Sequence, residues 1–383
     1  MANYSKHILI SDDDIVRYPP ILSVLKILAQ LNCHVTMLGY CSSKELIEEL
    51  QKMNIHYEEV VVDKVQTNPV KKFQSMFKNK SQVEQFIKRN YDDDTVVWVF
   101  GNENGWRMNS IIKNYRTILY LFEMPFFKVP MKYRLVVPNL DLKQNVKSAW
   151  RVVCCEYNRA KITQAVFGLK KTPYIIPNKP LLSLENLSYD LSHFVDEKLI
   201  DTLKEKKTLL YQGAIDNEKR RIDYICDSLN HLGPDYAVCI MAADSTDKDF
   251  LKQKYKDKDV YFLPFIPPPY HLLVTKMAYI GFLTYNTSEN SNVEESLNLL
   301  YCAPNKIYEY SMFNKPMIGN DVPALKQALE NNQAGISTDE WNVENIVKAI
   351  KKIENNYPEY TAGSKQLYES CDSVNLIDTL IKK

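Results

Sequence analysis

The stretch Ala303-Pro304-Asn305-Lys306-Ile307-Tyr308-Glu309-Tyr310-Ser311-Met312-Phe313-Asn314-Lys315-Pro316-Met317-Ile318-Gly319-Asn320 reads as a polar turn, a helix with one acidic side chain, and a short apolar strand. Pro304 suits the first turn of a helix, where its missing N–H costs nothing. The free N–H groups that follow make a positive end that attracts phosphate. Lys306 adds a mobile cation there, and Glu309 stands about one helical turn deeper on a neighbouring part of the same face. A carboxylate so placed can accept hydrogen bonds from two adjacent ribose hydroxyls. The plainer alternative is an amphipathic helix whose Lys306 and Glu309 are merely solvated, because a lone N-K-x-x-E pattern is a weak motif.

Outward from this stretch, the chain alternates apolar strand-length runs with longer helical segments. Strands are expected at His7–Ser11, His34–Tyr40, His56–Asp63, Thr95–Gly101, Arg116–Glu123, Arg151–Tyr157 and Tyr174–Pro177. A second series is expected at Thr208–Ile215, Tyr236–Ala243, Val260–Ile266, Tyr279–Tyr285, Lys315–Asn320 and Ala334–Ser337. Their near-continuous apolar character suits parallel sheets buried on both faces, with helices as crossovers. Two doubly wound α/β domains result, 1–180 and 207–363, separated by a polar linker over 181–206 that follows the Pro177 and Pro180 turn. The last segment, 364–383, reads as a helix returning to the N-terminal domain. A chain of 383 residues exceeds the size at which one core stops growing, which agrees with this division.

Forty-eight basic against 47 acidic residues give a net charge of +1, so bulk electrostatics imply no nucleic-acid partner. No apolar run is long enough to span a membrane, and the start of the chain leads directly into a strand, so a cytoplasmic location is expected. The eight cysteines lack metal-ligand spacing and read as reduced, mostly buried thiols. Of two acidic triplets, Asp92–Asp94 reads as a charged turn before a strand. Asp12–Asp14 follows the first strand, where its carboxylates would meet hydroxyl groups of a ligand.

At Pro304-Asn305-Lys306-Ile307-Tyr308-Glu309-Tyr310, followed by Lys315-Pro316-Met317-Ile318, the C-terminal half resembles the donor domain of GT-B-fold glycosyltransferases, nearest to the retaining enzymes of family 4 (group 1 type). The resemblance implies two Rossmann-like domains facing a cleft. It also implies transfer of a hexose from a nucleotide-diphosphate sugar, with UDP-sugar the expected donor, to a saccharide, lipid-linked or protein-linked glycan in cell-surface polysaccharide or glycoconjugate assembly. No metal or other cofactor is expected. Glu309 would bind the donor ribose, with Asn305 and Lys306 at the phosphates. The family places an acid eight positions before that Glu, where this chain has Tyr301; Asn298 and the loop 288–295 are possible replacements at the transferred sugar.

A second element of the family is a strand ending in glycine, here Leu209-Leu210-Tyr211-Gln212-Gly213, with cations after it. Gly213 would allow close backbone approach to a ligand at the carboxyl end of its strand. The family's Arg directly after the glycine is Ala214 here, and its later Lys is Arg220, with Lys219 and Arg221 as substitutes in register; a solvated basic turn is the alternative. Leu263–Tyr270 resembles the loop under the nucleobase, with Phe265 and Ile266 flanking the base, and Gly319–Ala324 resembles a loop capping the cleft. Arg220 and Lys306 are the expected leaving-group cations, and Glu123, ending its strand, would meet the sugar or acceptor.

Val70–Lys80 with Phe86–Arg89, and Met124–Arg134, mix basic and aromatic residues in a pattern that suits peripheral contact with the inner face of a membrane. The alternative turns Phe73, Met76 and Phe77 to the core. The absent first acid and absent Arg also fit a non-catalytic scaffold subunit. A nucleotide-sugar epimerase would share the fold, but none of the six histidines lies in a matching motif.

Overall fold

The computed structural model describes residues 2–60, 69–124, 141–181, 191–287 and 291–383. They form two compact units, Met1–Leu181 with Asp372–Lys383, and Leu182–Cys371. The first holds β1 (Lys6–Asp14), β2 (His34–Tyr40), β3 (Ile55–Glu59), β4 (Thr95–Phe100), β5 (Thr117–Leu121), β6 (Arg151–Cys154) and β7 (Tyr174–Ile175), in the order β3-β2-β1-β4-β5-β6-β7. The second holds β8 (Lys207–Gln212), β9 (Tyr236–Met241), β10 (Val260–Leu263), β11 (Ile280–Leu283), β12 (Met317–Asn320) and β13 (Gly335–Thr338), in the order β10-β9-β8-β11-β12-β13. All pairings between these strands are parallel. Each expected strand is therefore present, within a few residues of its expected ends.

Burial on both faces explains the unbroken apolar runs. In β8, Leu210 joins the core on one side of the sheet, whereas Leu209 and Tyr211 join the core on the other. Gly281 in β11 gives Tyr310 its place: a Cβ there would come within 2.6 Å of the ring, whose hydroxyl donates to the Leu210 carbonyl at 2.9 Å. All eight cysteines are free thiols. Burial pushes the Cys154 and Cys239 thiols up to about 12, which keeps them protonated and unreactive.

The acidic triplets are held internally. Asp12 pairs with buried Arg107 at 2.6 Å, and Asp14 caps the turn Ile15–Arg17 while accepting from Ser42. Asp13 accepts from the Tyr18 hydroxyl at 3.3 Å. Asp92 meets Lys6, and Asp94 meets Lys383 at 2.6 Å, as suits a charged turn. In the helix Pro69–Asn90, Met76, Val83, Phe86 and Ile87 pack into the first unit's core while Phe77 is exposed. The Phe73 side chain, residues 125–134 of the second basic-aromatic segment, residues 182–190 of the linker and 61–63 of the third strand segment lie outside the described residues.

Because Tyr357–Ser370 is one helix of the second unit, the segment that joins the first unit starts at Asp372 rather than at residue 364. Its helix, Ser373–Leu380, ends on Arg151, whose guanidinium donates to the carbonyls of Thr379 (3.3 Å), Leu380 and Lys382 (2.9 Å). The same guanidinium stacks over Trp150 at 3.9 Å. One side chain thus satisfies the carbonyls that a helix end leaves open. Arg151→Met should cost about 2 kcal/mol, the scale of lost hydrogen bonds from a charged donor, and should speed amide exchange across 373–380 in particular.

Buried His7 accepts from Trp98 Nε1 through Nδ1 at 3.0 Å, and its Nε2 donates to the Tyr4 carbonyl at 3.0 Å. This arrangement needs the neutral ring. Burial lowers the His7 pKa from 6.5 to about 4, against the opposing pull of the Tyr4 hydrogen bond and Asp94. The unfolded chain therefore binds the extra proton between those two values, and stability present above pH 6.5 is lost as pH falls towards 4. Over that window the loss is about 3 kcal/mol. Denaturant titrations from pH 7 to pH 4 should show this slope in the native chain and not in His7→Asn.

Candidate nucleotide site

In the second sheet, β9 and β11 lie on opposite sides of β8, so the strand order reverses between β8 and β11. Successive crossovers depart to opposite sides there and leave a crevice beyond the strand ends, the usual ligand position in open α/β sheets. A pocket sits at that point, lined by Tyr211, Gln212, Gly213 and Ala214 at the end of β8, by Phe282, Leu283, Thr284 and Tyr285 at the end of β11, and by Arg220 and Lys306. Three of the residues singled out in the sequence, Gly213, Arg220 and Lys306, thus share one pocket.

Gly213 has φ +139°, a conformation that favours glycine, and its N–H donates to the Met241 carbonyl at 3.0 Å. A Cβ there would meet Lys306 Cε at 3.2 Å, so the glycine also gives the lysine its channel. Lys306 belongs to the helix Asn305–Met312, whose N-cap is Pro304 rather than a Ser, Thr or Asp, so no capping side chain takes up the first-turn N–H groups. The Ile307 N–H turns back to the Pro304 carbonyl at 3.3 Å, and the positive end of the helix still favours an anion there.

Arg220 is held by neutral groups. Its guanidinium donates to the Thr284 carbonyl and lies over the Tyr285 ring at 4.1 Å, while the Thr284 hydroxyl donates back to the Arg220 carbonyl at 2.7 Å. Asn320 at the end of β12 fixes Tyr285 in turn: its Oδ1 accepts from the Tyr285 N–H at 2.8 Å, and its Nδ2 donates to the Tyr285 carbonyl at 2.9 Å. The neighbouring cations are otherwise engaged, Lys219 with Glu295 at 2.6 Å and Arg221 with Asp223 at 3.1 Å. Among the described residues, neither Arg220 nor Lys306 is ion-paired to a carboxylate. Burial pushes the Tyr211 phenol up to about 12 and raises Tyr285 further, so both line the pocket as neutral groups.

Glu309, also singled out in the sequence, is buried and does not itself line the pocket; it is joined to the lining through Gln212. Its Oε2 accepts from Gln212 Nε2 at 2.7 Å, Gln212 Oε1 accepts from the Thr275 hydroxyl at 2.9 Å, and His271 Nε2 lies 3.5 Å from Glu309 Oε1. Burial works to raise the Glu309 pKa, but the His271 charge and contact, with Lys306, outweigh it and hold the carboxyl below its ordinary value. The carboxylate is therefore ionised and part of a polar chain through β8, the helix His271–Met277 and the helix Asn305–Met312.

Other residues named from the sequence fall elsewhere. Ile266 is buried in the hydrophobic core, so its side chain is not free to flank a base, whereas Phe265 is 61% exposed. Asn305 and Tyr301 are half-buried and do not line the pocket. Glu123 belongs to the first unit, exposed and 3.5 Å from Arg159. Residues 288–290 of the loop near Asn298 lie outside the described residues. Sequence reasoning missed Gln212, His271, Thr275, Thr284 and Tyr285. Only the i,i+4 spacing of His271 and Thr275 on one helix, and a polar Gln212 closing an apolar strand, could have signalled part of that set.

Among the described residues, no cluster of His, Cys, Asp and Glu could hold a metal ion, and no helix is long and apolar enough to cross a membrane. No protein-family model and no curated protein matches the sequence. Solved structures do match over nearly the whole chain. One is Anabaena Alr3699/HepE in complex with UDP and glucose, at TM-score 0.65 and 10% identity, covering 98% of each chain. Another is a glycosyltransferase from Rickettsia africae ESF-5, at TM-score 0.65 and 12% identity, covering 99% of this chain and 97% of the other. A third is a UDP-N-acetylglucosamine 2-epimerase (so described, provisionally) from Listeria monocytogenes, at TM-score 0.62 and 11% identity, covering 99% and 97%. Two parallel-sheet units matched end to end by such structures give this chain the GT-B fold, the architecture of the glycosyltransferases among them.

Proposed function

We propose that the second unit binds a nucleotide-diphosphate sugar and that the protein is a glycosyltransferase, moving a hexose to a saccharide, lipid-linked or protein-linked glycan. The observation that carries this reading is the pairing of Arg220 and Lys306, two cations without carboxylate partners among the described residues, in the pocket at the β8–β11 reversal beside a helix start that no side chain caps. A diphosphate needs such a cradle. As the bond from the anomeric carbon to the phosphate oxygen breaks, negative charge grows on the departing diphosphate. Fixed cations and N–H dipoles stabilise it most at that stage. The new bond forms to an acceptor hydroxyl oxygen, whose proton passes to the leaving phosphate or to solvent. No metal enters this reading, since Arg220 and Lys306 supply the positive charge.

Glu309, one turn behind Lys306, would accept the ribose hydroxyls. UDP is the expected nucleotide, and a cell-surface polysaccharide or glycoconjugate acceptor is carried over from the sequence resemblance. Retention of anomeric configuration, a cytoplasmic setting and a peripheral membrane contact belong to the same proposal. An epimerase is the second reading, favoured by one observation that the sequence did not foresee: His271 stands beside Glu309. Incubation with UDP-N-acetylglucosamine in the absence of acceptor separates the two, because an epimerase yields a second UDP-sugar and a transferase yields at most slow hydrolysis.

Thermal melts with UDP, GDP and CDP should show stabilisation that is largest for UDP; no shift with any of the three would favour a scaffold subunit. Arg220→Ala and Lys306→Ala should each weaken UDP binding tenfold or more, the scale of a charge-assisted contact, with little change in melting temperature without ligand. Gly213→Ala should lower stability by about 1–3 kcal/mol through its backbone conformation and weaken UDP binding by displacing Lys306.

A further inference from the structure

The contact between His271 and Glu309 is not explained by packing alone. Glu309 carries two oxygens in a buried position; one is held by Gln212, and the other lies 3.5 Å from the His271 ring. The ring is anchored nowhere else by hydrogen bonding, since its Nδ1 is buried without a partner. Its sole polar engagement among the described residues is therefore the carboxylate. The charged groups around Glu309 are His271 from the helix His271–Met277 and Lys306 from its own helix; Tyr310 beside it and Gln212 from β8 are neutral.

We infer that His271 is a positioning residue of this site: its ring holds the Glu309 carboxylate in the orientation that accepts a ribose diol, so that preference for a ribonucleotide over its 2′-deoxy form runs through His271. The inference rests on the reading of Glu309 as the ribose acceptor. Each carboxylate oxygen has two lone pairs. Gln212 holds one oxygen by a hydrogen bond and the His271 ring stands 3.5 Å from the other, so the plane is set from both sides and each oxygen keeps a lone pair for a hydroxyl. Without the ring, burial is opposed by Lys306 alone and shifts Glu309 towards the protonated carboxyl, one of whose oxygens then donates and no longer accepts from a hydroxyl as the ionised pair does.

The test is calorimetric titration of the full chain with UDP and with 2′-deoxy-UDP, for the native protein, His271→Phe, His271→Ala, His271→Gln and Glu309→Gln. The native protein should prefer UDP about tenfold or more at pH 7. His271→Phe should lose about tenfold for UDP and less than twofold for 2′-deoxy-UDP, and its remaining preference should fall further from pH 7 to pH 5. His271→Gln, which still offers an N–H, should recover most of the loss, and His271→Ala, which should lose as much as the Phe variant, serves as the probe should the Phe variant fold poorly. Equal losses for both nucleotides, or the native preference kept in His271→Phe or His271→Ala, would overturn the inference alone, provided Glu309→Gln abolishes the preference. A preference surviving in Glu309→Gln, or no UDP binding by the native protein, would overturn the parent reading of the site and this inference with it.

Discussion

The reversal of strand order between β8 and β11 is the constraint on which the second unit's chemistry depends. Parallel strands need crossovers, and crossovers of one hand placed on either side of β8 must leave on opposite faces of the sheet. The strand ends at that point are consequently uncovered. Gly213 and Thr284 follow those two ends, and both stand in the pocket. The sheet creates the opening, and the residues immediately beyond it decide what the opening holds.

Two cations in one pocket repel each other, and burying them without counterions is costly. The structure offsets this with neutral acceptors and a ring face: Arg220 uses the Thr284 carbonyl and Tyr285, whereas nearby Lys219 and Arg221 have their own carboxylates. Positive charge is thus retained where a ligand's phosphates would neutralise it. Glu309 shows the complementary arrangement, an anion kept charged in a buried place by His271 and Lys306 and fixed by Gln212.

All thirteen strands were legible in the sequence because burial on both faces makes each an unbroken apolar run, as in Thr95–Phe100. Strand ends were less so: β1 runs on through Asp12–Asp14, which are stabilised by Arg107 and Ser42 from distant parts of the chain. Gly213, Arg220 and Lys306 stand out in the sequence because each sits at a fixed offset from a strand end or helix start, and the structure brings the three to one pocket. Ile266 was misread because a residue beside prolines after a strand looks like loop, while its side chain packs inward. Gln212, Thr275 and His271 were invisible because their roles come from contacts between β8 and two helices, 60 or more positions apart in the chain for Gln212 with either partner.

The most direct measurement is a crystal structure of the chain with UDP. The account predicts the diphosphate within hydrogen-bonding distance of Arg220, Lys306 and the first N–H groups of the helix Asn305–Met312, with both ribose hydroxyls on Glu309. UDP bound elsewhere, or bound here with its ribose turned away from a Glu309 still closed by Gln212 and His271, would contradict it.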